Sequence, residues 1–326
     1  MQCIRPIKAT QNSSGDIVYS SNKGIPGLVG FQFECRKCLP CRLNIAREKA
    51  VRAIHEAKMH EDNIFLTLTY DDDSLASQKL VYSDFQKFMK ALRYKNPNSY
   101  IPYMVTGEYG GPPKILSNGY ITKGHRPHWH AILFNYRPKD AMPKYTTDLG
   151  HPVWKSDEIH DIWKNGECEF GSVTLESAGY LARYAAKKLI HGKDEEHDYH
   201  PIHKTSSRRA IGRSWIEKYW KHTFENGFIV LPNGQQSKIP RYYVDWLKKH
   251  RESDWLKYVT GDNKIKITQN AEKKARKEEL DYLTTLFNRS QNASCATRAL
   301  RPQTRSKIQE TILKSKFKKL QENLKL

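Results

Sequence analysis

The sequence predicts an α+β fold: a central antiparallel β-sheet with flanking helices, followed by a basic helical C-terminal extension. Three observations carry that expectation. Between residues 63 and 190 the hydrophobic pattern reads strand, helix, strand, strand, helix, strand, helix, an order that packs helices onto an antiparallel sheet. The strand segments are apolar and β-branched and end in Asp, Gly or Asn clusters. At 326 residues the chain holds one large or two modest domains with a real core.

Residues through Gly30 are rich in Gly, Ser, Asn and Pro and read as loops or a short hairpin. The cluster Cys35-x-x-Cys38-x-x-Cys41 follows. Leu43, Ala46, Ala50, Ile54 and Ala57 form one stripe of an amphipathic helix over 43–60. Asn63 to Tyr70 is a buried strand, ended by Asp71-Asp-Asp-Ser74. Ser83 and Asp84 cap a helix running to about Arg93, with Phe85, Phe88, Met89 and Leu92 turned inward. A second strand covers Tyr100 to Glu108. The segment 109–124, with Gly-Gly-Pro-Pro and Asn-Gly, is a loop or hairpin that delivers the chain to a third strand, Arg126 to Phe134. A helix near Ser156 to Lys164, a strand from Glu169 to Leu175 and a helix over 178–190, capped by Ser177 and stopped at Gly192, complete the core. The expected divisions are 1–60 for the cysteine segment and its helix, 61–192 for the core, 193–262 for a basic and aromatic extension, and 263–326 for a mobile basic tail with helices near 271–287 and 308–324.

The formal charge of +20 and a pI of 9.6 point to a polyanionic partner, because a strongly basic surface gains free energy by releasing the counterions of nucleic acid. The bland alternative, charge kept for solubility alone, leaves the many Tyr and Trp residues unexplained. Mean hydropathy is −0.76, and no stretch reaches the roughly 20 apolar residues of a membrane span. The first residues, Met1-Gln-Cys-Ile-Arg-Pro-Ile-Lys8, lack the apolar core of a secretory signal, so the expectation is a cytoplasmic protein with no membrane partner.

Candidate chemistry sits on two segments. In the run Arg126-Pro-His-Trp-His-Ala-Ile-Leu-Phe134, His128 and His130 are two apart on a strand and point to the same face, so both imidazoles converge on one cation. Two buried imidazoles side by side are costly unless a cation or hydrogen bonds satisfy them. A carboxylate from the neighbouring strand suits a hard divalent cation such as Mg²⁺ or Mn²⁺, and Glu108 is the candidate, although its connection to His128 is long for a simple hairpin. On the later helix Tyr180 and Tyr184 are four apart and share a face, with Lys187 beside them. A divalent cation facing two phenols is a site for phosphodiester cleavage by covalent attachment. Core packing of the two rings is the structural alternative.

The spacing of Cys35, Cys38 and Cys41 does not suit a secreted disulfide framework. With Cys3 as a fourth thiolate the group fits a structural zinc; free reduced thiols fit the spacing equally well, and both readings stay open. Arg183 and Lys188 on the tyrosine helix, and Arg208, Arg209 and Arg213 beside Trp215, Tyr219 and Trp220, are candidate DNA contacts that combine phosphate binding with base stacking.

Taken in order, Phe65-Leu-Thr-Leu-Thr-Tyr-Asp-Asp72, Gly107-Glu-Tyr-Gly110, the His-x-His strand and Tyr180-Leu-Ala-Arg-Tyr-Ala-Ala-Lys-Lys188 resemble the three motifs of HUH rolling-circle replication initiators. The chain is most similar to the initiators of microviruses, the small icosahedral single-stranded DNA phages, in their gokushovirus branch, which the cysteine opening also resembles. The resemblance covers roughly residues 1–190. It implies an HUH endonuclease core with a palm-like, RRM-like sheet, a metal-dependent nickase and strand transferase, and two alternating tyrosines. One would attack the viral strand at the origin, leaving a 5′-phosphotyrosyl link and a free 3′-hydroxyl; the other would later release a closed circle. Implied partners are single-stranded and supercoiled duplex origin DNA and the host helicase and polymerase in a bacterial cytoplasm. The rival expectations are a transposase or relaxase of the same superfamily and a noncatalytic zinc-dependent DNA-binding regulator.

Overall fold

The computed structural model describes residues 3, 5–14, 16–19, 31–74, 79–110, 126–187, 202–292, 308 and 310–316. The chain opens with β1 (Ile7–Gln11), β2 (Ile17–Val18) and β3 (Phe31–Phe33), which form a small antiparallel sheet ordered β2-β1-β3. Helix α1 (Leu39–Ala57) follows. It starts four residues before the apolar stripe at Leu43, because Cys38 has extended backbone as its N-cap and Pro40 sits in the first turn, where a missing N–H costs nothing.

The main body runs β4 (Asn63–Thr69), α2 (Tyr82–Lys95), β5 (Tyr103–Tyr109), β6 (Pro127–Phe134), β7 (Met142–Thr146), β8 (Pro152–Lys155), α3 (Asp157–Trp163), β9 (Cys168–Gly171), α4 (Leu175–Lys187) and β10 (Ile202–Thr205). Its strands make one seven-stranded antiparallel sheet ordered β10-β5-β6-β4-β9-β8-β7, so the predicted α+β class is what the chain adopts. Alternation along the central strands explains the layers. Ile64, Leu66 and Leu68 of β4, Val105 of β5, and Trp129, Ala131 and Leu133 of β6 face α2 and α3, whose Phe85, Phe88, Met89, Leu92, Ile159 and Trp163 cover them. Fully burying each such side chain is worth roughly 1.5–3 kcal/mol, before entropy is counted. On the other face Phe65, Met104, Ile132 and Phe134 meet α1 and α4. There the helices present Ala46, Ala50, Ala53, Ala178 and Ala182, and these small side chains let the two helices approach closely over the sheet.

Three strands were not legible in the sequence. All five residues of β7 are exposed, so no apolar alternation marks it, and β8 and β10 are four residues each. Ser156 caps α3 as expected, accepting from the Ile159 N–H. Helix α4 begins earlier than expected: Thr174 and Ser177 exchange hydrogen bonds of 2.8 and 3.1 Å in a reciprocal cap, which ends the preceding strand at Gly171 and not at Leu175. Its expected continuation to Ile190 and stop at Gly192 lie outside the described residues.

Beyond the sheet come α5 (Arg213–Asn226), β11 (Ile229–Val230), β12 (Gln236–Ser237), α6 (Arg241–His250), α7 (Glu252–Thr260) and α8 (Asp262–Asn292). The helices α5 and α6 enclose a separate apolar cluster with Val51 of α1, built on Ile216, Phe224, Tyr243, Trp246 and Leu247. Helix α8 is longer than the 271–287 segment expected, and of the second expected tail helix only 308 and 310–316 are described. Among the described residues no helix is long and apolar enough to cross a membrane.

Candidate active site

Burial of Trp129 on the α2/α3 side of the sheet turns its two neighbours, His128 and His130, toward α1 and α4. Register then decides what they meet. Glu108 of β5 pairs with His128, and Thr67 of β4 pairs with His130. The long connection after β5 does not separate Glu108 from His128, because the ladder continues to Gly110, whose N–H donates to the Arg126 carbonyl at 2.8 Å. Gly107 helps hold this register. It pairs with Trp129, and a Cβ there would come within 2.8 Å of both the indole and Leu80, so only glycine leaves the ring its place.

The ligand atoms of Glu108, His128 and His130 all lie within 4.8 Å of one another, and His128 Nε2 is 3.8 Å from Glu108 Oε2. Each imidazole is oriented through its other nitrogen. His128 Nδ1 donates to the Arg126 carbonyl at 3.1 Å, which leaves a lone pair on Nε2. His130 Nδ1 lies 3.0 Å from the Thr67 hydroxyl, a contact that frees Nε2 in the same way when the imidazole donates. Burial lowers the pKa of His128 below the ordinary imidazole value; it lowers that of His130 well below, with the neighbouring His128 as a second cause. Both rings are therefore neutral at physiological pH, the state in which imidazole binds metal. Thr67 was not singled out in the sequence; its signal was the alternation Phe65-Leu-Thr-Leu-Thr69, which sets it opposite the buried leucines, but only strand pairing reveals its partner.

Tyr180 joins this group from α4. Its hydroxyl donates to Glu108 Oε2 at 2.9 Å, and its ring meets His130 edge-on at 5.3 Å. Tyr184 and Lys187 lie on the same helix, one and two turns further along; their side chains lie outside the described residues, as does all of Lys188. Arg183 is half-buried on α4.

Over the full length of both chains the protein is 52% identical to the replication-associated protein VP4 of the Bdellovibrio phage phiMH2K. The chain belongs to the phage replication-associated protein family. It is also 34% identical to the replication-associated protein ORF4 of Chlamydia phage 1, over 67% of this chain and 54% of that one. With the replication-associated protein ORF2 of Spiroplasma virus 4 it shares 29% identity, over 77% of this chain and 86% of the relative. The family model of replication-associated protein ORF2 matches residues 63–189, a span that opens with β4 and closes just after α4 and so contains Glu108, His128, His130, Tyr180 and Tyr184. No solved structure matches the chain. Membership assigns this replication-associated protein a role in phage replication.

Two other groups named from the sequence lie elsewhere in this family member. Cys3, Cys35, Cys38 and Cys41 gather at the start of α1, their sulfurs all within 4.8 Å of one another. Arg208 is exposed, while Arg209 and Arg213 are ion-paired with Glu217 at 2.8 and 2.7 Å, so neither presents its full charge to a phosphate without exchanging that partner. The aromatics beside them are less available for base stacking than the sequence suggested. Trp215 stacks on the buried His55 at 3.6 Å, Trp220 lies under the Arg251 guanidinium at 4.3 Å, and only Tyr219 among the three is exposed. Helix packing has claimed the indole faces because this extension has little other apolar surface from which to build a core.

Proposed function

We propose that this replication-associated protein starts and ends rolling-circle replication by nicking and rejoining one strand of phage DNA. In this reading Tyr180 and Tyr184 are the nucleophiles, and Glu108, His128 and His130 hold Mg²⁺ or Mn²⁺. The observation that carries it is the 2.9 Å hydrogen bond from Tyr180 to Glu108, which brings a phenol against a carboxylate that belongs to a metal-binding donor set. One carboxylate and two neutral imidazoles suit a divalent cation and leave coordination positions for phosphate oxygens.

A cation bound there polarises the scissile phosphate and disperses the charge that builds on it during displacement. The chain's own residues do the rest. Only on the order of one phenol in a thousand is ionised at pH 7, so the proton already donated to Glu108 must leave as the Tyr180 oxygen attacks phosphorus. The bond from phosphorus to the 3′-oxygen breaks, that oxygen takes up a proton, and the 5′ end remains esterified to tyrosine. The bond energy is kept in the phosphotyrosyl link, so a 3′-hydroxyl can reverse the step without a nucleotide cofactor. Tyr184, one turn along α4, serves as the second nucleophile that closes the displaced strand into a circle. Lys187 balances phenolate or phosphate charge. Arg183, Lys188, Arg208, Arg209 and Arg213 contribute to strand binding, with 61–192 as the endonuclease core and 193–262 as the DNA-contacting extension. The host helicase and polymerase then extend the free 3′ end in the bacterial cytoplasm.

The test is covalent capture. Full-length protein incubated with an oligonucleotide from the phage origin and Mg²⁺ or Mn²⁺ should yield a denaturation-resistant adduct, and tryptic mapping should find DNA on Tyr180 or Tyr184. Chelator should abolish it, as should the double replacement Tyr180→Phe with Tyr184→Phe. An adduct that survives the double replacement refutes the nucleophile assignment, and tight duplex binding with no nicking under any metal favours a noncatalytic regulator instead.

A further inference from the structure

The proposed cleavage makes no use of the cysteines, yet among the described residues they form the second group of metal-ligating side chains beside Glu108, His128 and His130. The four sulfurs lie within 4.8 Å of one another, and Cys3 Sγ is 3.8 Å from Cys38 Sγ. A zinc ion with four thiolates at about 2.3 Å defines a tetrahedron with edges of about 3.8 Å. The cluster thus has the size of a single-ion site. The thiols of Cys3, Cys35, Cys38 and Cys41 are free, and the 3.8 Å contact is far longer than the roughly 2.05 Å of a disulfide.

The surroundings favour negative sulfur. The Cys35 N–H donates to Cys3 Sγ and the Cys38 N–H to Cys35 Sγ, each at 3.3 Å. Cys38 is the N-cap of α1 and Cys41 lies in its first turn, where unpaired N–H groups and the helix dipole stabilise anions; no acidic residue occupies that turn. Four thiolates around a divalent ion keep two negative charges, and the buried Arg42 interacts electrostatically with Cys38.

The fold also needs a fastening here. Among the described residues, no member of the three apolar clusters precedes Ala46, and Ile7, Ile17 and Phe33 of the small sheet are exposed. A sheet of two- to five-residue strands without a core of its own requires a staple. Cys3 precedes β1, Cys35 follows β3, and Cys38 and Cys41 open α1, so ligation ties both ends of the sheet to the helix that packs on α4. We propose that Cys3, Cys35, Cys38 and Cys41 bind one structural zinc ion that staples the N-terminal sheet to α1. With four sulfur ligands the site is closed, which suits a structural and not a catalytic metal, and soft thiolates select zinc against Mg²⁺ or Mn²⁺.

Elemental analysis of the full-length protein, purified without chelator, tests this directly. About one zinc per chain is expected. It should persist in the doubly substituted His128→Ala, His130→Ala protein and in Cys168→Ser, and vanish in Cys38→Ser, so the result does not depend on whether the chain cleaves DNA. Should Cys38→Ser fail to fold, exchange of cobalt(II) into the unaltered protein keeps the proposal testable, with sulfur-to-metal charge transfer and the intense visible bands of a tetrahedral thiolate site as the expected signature. Metal-stripped protein should also become sensitive to trypsin at Arg36 and Lys37, which lie between ligands. Zinc no higher in the unaltered protein than in Cys38→Ser, a cobalt spectrum without thiolate bands, or a disulfide among these cysteines in freshly purified protein would each overturn the assignment.

Discussion

Glu108, His128 and His130 project from adjacent strands in the middle of a seven-stranded sheet, whereas Cys3, Cys35, Cys38 and Cys41 come from the ends of a three-stranded sheet and the first turn of a helix. The first group rests on a packed core on both faces of its strands. Its geometry is held by Trp129, Gly107 and the ladder, so a cation there arrives at a preformed site with positions left for substrate. The second group has no core beneath it, and its ligand is part of what would hold the fold together. Donor chemistry follows the same division: oxygen and imidazole for an exchangeable cation that must admit phosphate, sulfur for one that must stay.

The largest effects should come from removing ligands, and they should separate the two sites. His128→Ala or His130→Ala should lower adduct formation more than about 100-fold, beyond what loss of an outer-sphere partner costs, while leaving tightly bound zinc unchanged. Cys41→Ser should do the reverse, losing zinc first; equal loss of zinc in both sets of variants would erase the distinction. A finer probe is Thr67→Val, which removes the oxygen beside His130 Nδ1. Titration of activity with Mn²⁺ should show about 10- to 100-fold weaker apparent affinity, restored by Thr67→Ser.

Next comes the support under the first site. Gly107→Ala forces a methyl group against Trp129 and Leu80 and should cost about 1–3 kcal/mol in urea unfolding, with zinc content unaltered. The smallest effect concerns a third buried histidine, which has no carboxylate or second imidazole on its face. His55 is enclosed by Trp215 and Tyr243, its Nδ1 3.0 Å from the Tyr243 hydroxyl, and burial holds its pKa down to about 3. The unfolded chain takes up that proton near pH 6.5, so the contribution to stability is complete above about 6.5 and declines as pH falls from there toward about 3. Lowering pH from 8 to 6 should therefore remove under about 1 kcal/mol through His55, and His55→Phe should flatten that part of the profile.

Much of this was readable along the chain. Two histidines separated by Trp129 must share a strand face, and Tyr180 and Tyr184 must share a helix face, because backbone periodicity is a local property. The central strands and α2 were legible for the same reason: Leu66, Leu68, Phe85 and Phe88 repeat at the period of their elements. The exposed strand β7 carries no such pattern, and the aromatics of α5 and α6 gave no sign of whether they would meet bases or one another.

By itself, then, the sequence determined the α+β class, the basic character and the residue types of both clusters. Tertiary structure alone decided that Glu108 faces His128 and Thr67 faces His130, that Tyr180 reaches Glu108, and that Cys3 closes a group whose other members begin 32 residues later. Those meetings depend on strand register and helix packing between distant segments, and such choices are made by the summed burial of whole faces, to which no single motif holds the key.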